Sequence, residues 1–174
     1  MAIHRLNHAV LYVRELTRSV AFYRDVLGFE VVMEIPGQAA FLRADGSSND
    51  HDLGLFAVGE QAAASPAGRG SVGLYHLAWE VDTLADLERL TGRLAEAGAL
   101  VGASDHSTTK SLYGQDPDGL EFEVAWVVPA DRLDDATLAG RKGIKPLDLA
   151  REKARYGADT LGGIGVSRAA ASAV

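Results

Sequence analysis

Polar and apolar residues alternate over 3–13. Leu6, His8, Val10 and Tyr12 fall on one face, and Asn7, Ala9, Leu11 and Val13 on the other. A period of two reads as a strand. The period then lengthens: Leu16, Val20, Tyr23 and Leu27 recur at three- and four-residue steps, the stripe of an amphipathic helix over 15–27. Gly28 suits its C-terminal cap. Segments 29–35, 39–44 and 52–58 read as three more strands, with Pro36-Gly37 and the run 45–49 as turns between them. The stretch 59–73 is rich in Gly, Ala, Ser and Pro and reads as a linker. The pattern then restarts with a strand holding His76. A helix over 84–97 follows, with Leu84, Leu87, Leu90 and Leu94 inward and Gly98 as cap, and then strands over 100–102, 111–113 and 121–127. Asp116-Pro117-Asp118-Gly119 is a strong turn signal before the last of these.

The chain therefore repeats internally as two strand–helix–three-strand modules, about 4–58 and 74–127. His8 precedes its capping glycine by 20 residues and His76 precedes its own by 22, so the two histidines hold equivalent places. Neither module alone buries both faces of its sheet, and duplicate sheets facing each other would bring the histidines together. The expected fold class is α+β: two paired βαβββ modules forming a half-open barrel around a metal site, plus a partly helical C-terminal tail. The expected division is 1–128 for that domain and 129–174 for the tail. Within the tail, 148–156 reads as helix and the last 13 residues as a frayed end. The tail carries no evident chemistry and is open to a role in dimer contacts; a homo-oligomer is expected.

A chain of 174 residues with 47% hydrophobic residues can bury a real core. The net charge of −7 argues against nucleic acid or an anionic membrane as partner. The absence of cysteine excludes disulfides, thiolate nucleophiles and Cys-based metal sites. The start, MAIHRLNHAV, has neither the basic region nor the apolar run of a signal peptide, and no stretch reaches the roughly 20 apolar residues of a membrane span. A soluble, cytoplasmic protein is the expectation.

The chemistry concentrates in three apolar strand segments, LNHAVLYV, YHLAWEV and LEFEVAW. Each carries a titratable group that is costly to bury without a partner: His8, His76 and Glu123. Two imidazoles and one carboxylate can satisfy one another by meeting at a cation. Two His plus one carboxylate is also the facial triad of non-haem iron(II) oxygenases, which leaves positions open for substrate and oxygen. Period two puts Glu121 on the same face as Glu123, so spacing alone leaves the two competing. Glu80 lies two alternations beyond His76, roughly 13 Å along the strand, and reads as a rim residue. The first module's last strand, Leu53-Gly54-Leu55-Phe56, has no counterpart to Glu123. Zinc would use the same donor atoms. Around these ligands stand His51, His106 and Tyr113, which taken singly also read as two solvated loop histidines and a core aromatic; His4 reads as an ordinary N-terminal residue.

At about residues 4–127 the chain resembles the vicinal-oxygen-chelate (glyoxalase/bleomycin resistance/dioxygenase) superfamily. Within it, DHSTTKSLYGQDPDGLEFEV resembles the second-module signature of one-domain type I extradiol ring-cleavage dioxygenases: a His, a Tyr, DPDG, and the ligand Glu four residues after the glycine. That spacing selects Glu123 over Glu121. The segment DHDLGLF resembles the His-rich entry to the last first-module strand and places an active-site histidine at His51. Two departures stand out: Asp50-His51 where the family often has two histidines, and Gly114 where a bulky residue usually follows the tyrosine.

The resemblance implies an enzyme that opens a 2,3-dihydroxybiphenyl-like catechol with O₂. Iron(II) would be held by His8, His76 and Glu123, with Mn(II), Zn(II) or Ni(II) as alternatives. His51 would assist dioxygen and move a proton, and His106 and Tyr113 would orient a catecholate oxygen. Two rivals share the scaffold. One is a glyoxalase-like metal-dependent isomerase or thiol transferase, which a fourth ligand in the first module would favour. The other is a metal-free binding module, which has no need of all three ligands.

Overall fold

The structure, a computed structural model, describes Ile3 and residues 5–67 and 70–163. It divides into two compact units. The first comprises residues 1–66 together with Asp116–Leu120, and the second Ala67–Gln115 together with residues 121–174. His4 lies outside the described residues.

In the first unit, β1 (Ala9–Val13) leads into α1 (Leu16–Ala21), which continues as a π-helical turn over Phe22–Val26. β2 (Glu30–Ile35), β3 (Ala39–Arg43) and β4 (Leu53–Ala57) complete a sheet of order β1-β4-β3-β2, with β1 parallel to β4. Helix α1 starts where the Glu15 side chain accepts from the amides of Thr17 and Arg18. Its apolar stripe is Leu16, Val20 and Tyr23, as the spacing predicts. The π-turn, marked by Leu27 N–H donating to Phe22 C=O, also buries Phe22, which a strict 3.6-residue period would turn outward. Leu11, Val13, Leu42, Leu53 and Leu55 close this core.

The strand predicted over 3–13 is shorter than its pattern. Pairing begins only at Ala9, opposite Leu53, where β4 begins. His8 therefore sits one residue before β1, and the face it shares with exposed Val10 and Tyr12 is opposite the one that Leu11 and Val13 bury.

The second unit repeats the plan. β5 (Leu77–Glu80), α2 (Leu84–Glu96), β6 (Leu100–Asp105), β7 (Thr109–Gln115) and β8 (Glu121–Val127) form a sheet of order β5-β8-β7-β6, again with the first strand parallel to the last. Thr83 caps α2 by accepting from Asp86 N–H, and Leu84, Leu87, Leu90 and Leu94 face inward. Like His8, His76 stands one residue before its strand's first paired residue, Leu77. Both modules even carry a bulge at the same place, between Val31 and Met33 and between Leu100 and Gly102. The fold is the expected α+β duplication.

The tail is more ordered than its composition suggests. β9 (Lys145–Pro146) adds to the β6 edge, after a short 3₁₀ turn (Ala130–Arg132) and α3 (Asp135–Gly140). α4 (Leu149–Tyr156), capped by Asp148, then packs on the second unit. There Lys110, 1% exposed, is held by Asp105 (2.6 Å) and by Glu152 of α4 (2.9 Å). Trp126 lies tilted against Tyr156, ring centroids 5.4 Å apart, and donates to Thr160 C=O (3.1 Å). Of the end predicted to fray, Gly162 and Gly163 are held, their amides bonding the carbonyls of Asp82 and Val127; residues 164–174 lie outside the described residues.

The turn Asp116–Gly119 forms as read, with Gly119 at φ +83° donating to Asp116 C=O. It belongs to the first unit. Asp118 receives Arg14 (3.0 Å) and Arg18 (2.9 Å), and buried Tyr23 donates to Asp116 (3.1 Å). Burial and the nearby Asp116 charge push the Tyr23 phenol well above its ordinary value. Burial raises Asp116, although the amides of Leu120 and Asp118 and the Tyr23 hydroxyl all oppose it.

Candidate metal centre

In the second unit the sheet register sets the site. Ala78 and Tyr113 flank Glu123 as its paired neighbours on β5 and β7. His76, two residues before Ala78, shares its face, and its Nε2 lies 3.1 Å from Glu123 Oε2. Two ligand atoms, each about 2.1 Å from a metal and at right angles, stand about 3.0 Å apart. The His76–Glu123 pair thus has the spacing of two neighbouring metal ligands, and both donors suit iron(II), manganese(II) or zinc(II). His76 Nδ1 is buried and lacks a hydrogen-bond partner among the described residues. Tyr75 lies against the His76 ring, with centroids 4.6 Å apart. Glu121 pairs with Gln115 at the mouth of β8, one alternation away from Glu123.

His106 and Tyr113 meet: Nε2 and the phenol oxygen are 2.7 Å apart. Burial and the Glu123 charge push the Tyr113 phenol above its ordinary value, with Ser111 opposing, so the hydroxyl keeps its proton at neutral pH. Ser111 is wholly buried and places its Oγ 2.5 Å from Glu123 Oε1. The pattern along the chain gave no reason to single out this serine, because a short hydroxyl residue in a strand carries no periodic signal; only its place two residues before Tyr113 put it on the same face.

In the first unit His8 and His51 stand together, ring centroids 4.6 Å apart, with Phe41 edge-on to His51 at 5.1 Å. His8 Nδ1–H donates to Asn7 Oδ1 (2.7 Å), and His51 Nδ1 faces Asp50 Oδ2 (2.9 Å). Holding the proton on Nδ1 leaves each Nε2 lone pair free for a metal or a proton. Among the described residues, no group of three His, Asp or Glu side chains stands close enough to hold a metal ion; the first unit places His8 beside His51 and the second His76 beside Glu123. Val10, two residues after His8, pairs with Gly54, just as Ala78 pairs with Glu123, so Gly54 occupies the first-module place of the carboxylate.

The departure at Gly114 has a packing cause. A Cβ there would lie 2.3 Å from Cζ of Phe122, its paired neighbour on β8, whose ring fills the space.

The model of the Glyoxalase/Bleomycin resistance protein/Dioxygenase superfamily matches residues 5–124. The chain belongs to this superfamily. It is 35% identical over 119 residues to a catechol-2,3-dioxygenase of Bacillus subtilis (strain 168), a match covering 68% of this chain and 40% of that protein. It is 37% identical over 123 residues to biphenyl-2,3-diol 1,2-dioxygenase 3 of Rhodococcus globerulus, covering 69% of this chain and 62% of that one. The matches thus span about half the length of these curated relatives. Among solved structures, the lactoylglutathione lyase of Agrobacterium tumefaciens aligns with a TM-score of 0.53 at 27% identity, over 72% of this chain and 95% of the other. The superfamily therefore holds relatives named for different chemistries. Among the described residues, no helix is long and apolar enough to cross a membrane.

Proposed function

We propose that the protein is a metal-dependent extradiol dioxygenase that opens the ring of a catechol, of the 2,3-dihydroxybiphenyl kind, with O₂. The observation that carries this reading is the pairing on neighbouring strands of β8 and β7: a carboxylate at ligand spacing from His76, with a hydrogen-bonded His106–Tyr113 pair beside it. The two dioxygenase relatives lend support. His8, His76 and Glu123 would hold iron(II), with manganese(II), zinc(II) or nickel(II) as alternatives. When bound, the metal would supply Lewis acidity that lowers a catechol hydroxyl pKa, and iron(II) or manganese(II) would add one-electron chemistry toward oxygen.

The chain's own groups supply the rest. The Tyr113–His106 pair offers a neutral phenol hydroxyl and an imidazole that orient a catecholate oxygen by hydrogen bonding. His51, whose Nδ1 faces Asp50, presents Nε2 as a proton relay. Phe41 holds the His51 ring by edge contact. The product retains both atoms of O₂: one ring C–C bond breaks, and a semialdehyde or keto acid results.

A glyoxalase-like isomerase or transferase is the second reading, and the similarity to the lyase structure favours it. Gly54, at the first-module place of Glu123, weighs against it, because no carboxylate stands there to complete a four-residue ligand set. The test is anaerobic loading with iron(II), then oxygen uptake on a panel of mono- and bicyclic catechols. One O₂ consumed per turnover with a yellow product is expected. No uptake by protein shown to hold iron rejects the dioxygenase reading and puts the isomerase first.

A further inference from the structure

The duplicated modules compare one site with and without a carboxylate. Matching Gly54 to Glu123 fixes the rest of the correspondence through the ladders. Phe41 pairs with Gly54 and Tyr113 with Glu123, while Ala39 pairs with Phe56 and Ser111 with Ala125. Ser111, Tyr113 and Glu123 of the second module thus answer to Ala39, Phe41 and Gly54 of the first. Each second-module residue is the more polar of its pair. Ser and Ala differ by one hydroxyl, as do Tyr and Phe. Where the carboxylate is missing, both hydroxyls are missing too.

We infer that Ser111 is a positioning residue for the metal-binding carboxylate: its hydroxyl occupies Glu123 Oε1 and leaves Oε2 as the single oxygen offered beside His76 Nε2. The inference rests on the metal-centre reading above. The geometry is specific. Ser111 Oγ is 2.5 Å from Oε1 and His76 Nε2 is 3.1 Å from Oε2, so the two carboxylate oxygens have different partners. A hydroxyl that donates to a carboxylate makes a charge-assisted bond. Ser111 reaches Glu123 diagonally, from the residue two before its paired neighbour Tyr113. A carboxylate gripping with both oxygens would take one more coordination position, and a facial triad depends on positions left open. The buried hydroxyl therefore limits Glu123 to one.

Packing alone does not explain the serine. Ala39 fills the matching position at 1% exposure in the first module, so the scaffold accepts a bare methyl there. The test compares the parent protein with Ser111→Ala, Ser111→Thr and Ser111→Cys. Manganese(II), an air-stable probe, is titrated and read by the EPR signal of the free ion. Iron(II) affinity follows by chelator competition, and melting of the metal-free proteins reports folding. Ser111→Ala should bind either metal about 10–100-fold more weakly, the usual effect of removing a group that orients a ligand. Its metal-free melting should stay close to the parent's. Ser111→Thr, which keeps the hydroxyl, should restore most of the affinity. Ser111→Cys, a weaker donor of similar size, should fall between serine and alanine and stands in should the alanine variant not fold. Alanine or cysteine affinities equal to the parent's overturn this inference alone. A parent protein that binds neither metal overturns the metal-centre reading and this inference with it.

Discussion

Gly114 and Phe122 make a sharp test of the duplication, because the first module solves the same packing problem with different side chains. Their counterparts are Leu42 and Leu53, paired across β3 and β4 and both fully buried. One module uses nothing and a phenyl ring; the other uses two isobutyl groups. Gly114→Leu alone drives a Cβ to within 2.3 Å of the Phe122 ring. The ring must move by more than 1 Å to reach ordinary contact, and overpacking of that kind costs about 1–3 kcal/mol. Phe122→Leu alone leaves a gap over Gly114 and forfeits about 1–2 kcal/mol of apolar burial. Together the two substitutions rebuild the Leu42–Leu53 pair in the second module. The double variant should therefore be about 2 kcal/mol more stable than the sum of the singles, a coupling typical of touching residues. Urea unfolding followed by tryptophan fluorescence measures all four corners of the cycle. Thermal midpoints should separate the overpacked single from the double variant by about 2–4 °C per kcal/mol. Strict additivity, within about 0.5 kcal/mol, would refute the packing account of Gly114 and weaken the correspondence that assigns Ser111 to Ala39.

Other outcomes follow from the same geometry. Glu123→Ala should abolish tight iron binding while Glu121→Ala retains it, as read by metal content after anaerobic desalting; the reverse result moves the ligand role to Glu121. His51→Ala should keep its iron and lose about 10²–10⁴-fold in turnover, the scale for a positioned acid–base group, and unchanged turnover makes it a bystander. Lys110→Met removes the buried cation between Asp105 and Glu152 and leaves them only Arg151, whose side chain is half-exposed, so it should cost about 3 kcal/mol in urea titrations, the low end for breaking a buried pair, and a loss under 1 kcal/mol contradicts the buried network. Burial raises Asp105, but Lys110, the Ser107 amide and Arg151 outweigh it and hold the carboxyl below its ordinary value. A depressed folded value stabilises above the unfolded carboxyl range and is lost as pH falls through the folded value. The urea midpoint should thus drop below about pH 4, and less steeply in Asp105→Asn; equal slopes would remove Asp105 from the account.

Much of this fold is written in periodicity. The leucines of α2, the β8 bounds and the DPDG turn follow from spacing and turn chemistry alone. What pattern cannot give is pairing. The alternation of 3–13 continues past the point where β4 offers a partner, so the strand stops short of His8. The π-turn shifts the helical phase by one residue and buries Phe22 beside Tyr23. Glu152 sits in a charged stretch that reads as surface, yet it is buried because Lys110 meets it from another element. At the site, His106 and Tyr113 are seven residues apart in a strand-turn-strand segment, and the structure joins them by a hydrogen bond. Ser111 needed the sheet register before its relation to Glu123 could be seen.

The turn at Asp116–Leu120 has a consequence for dissecting the protein. Its residues are encoded within the second module but are claimed by Arg14, Arg18 and Tyr23 of the first unit. The polypeptide therefore crosses from one unit to the other three times, so the linker at 59–73 is no clean seam. A protease nick there would leave Asp116 and Asp118 of one fragment bound by Arg14, Arg18 and Tyr23 of the other. Expressing 67–174 alone would strand Asp116 and Asp118 without their partners, so a split-gene version of this protein should work best when both halves are made together.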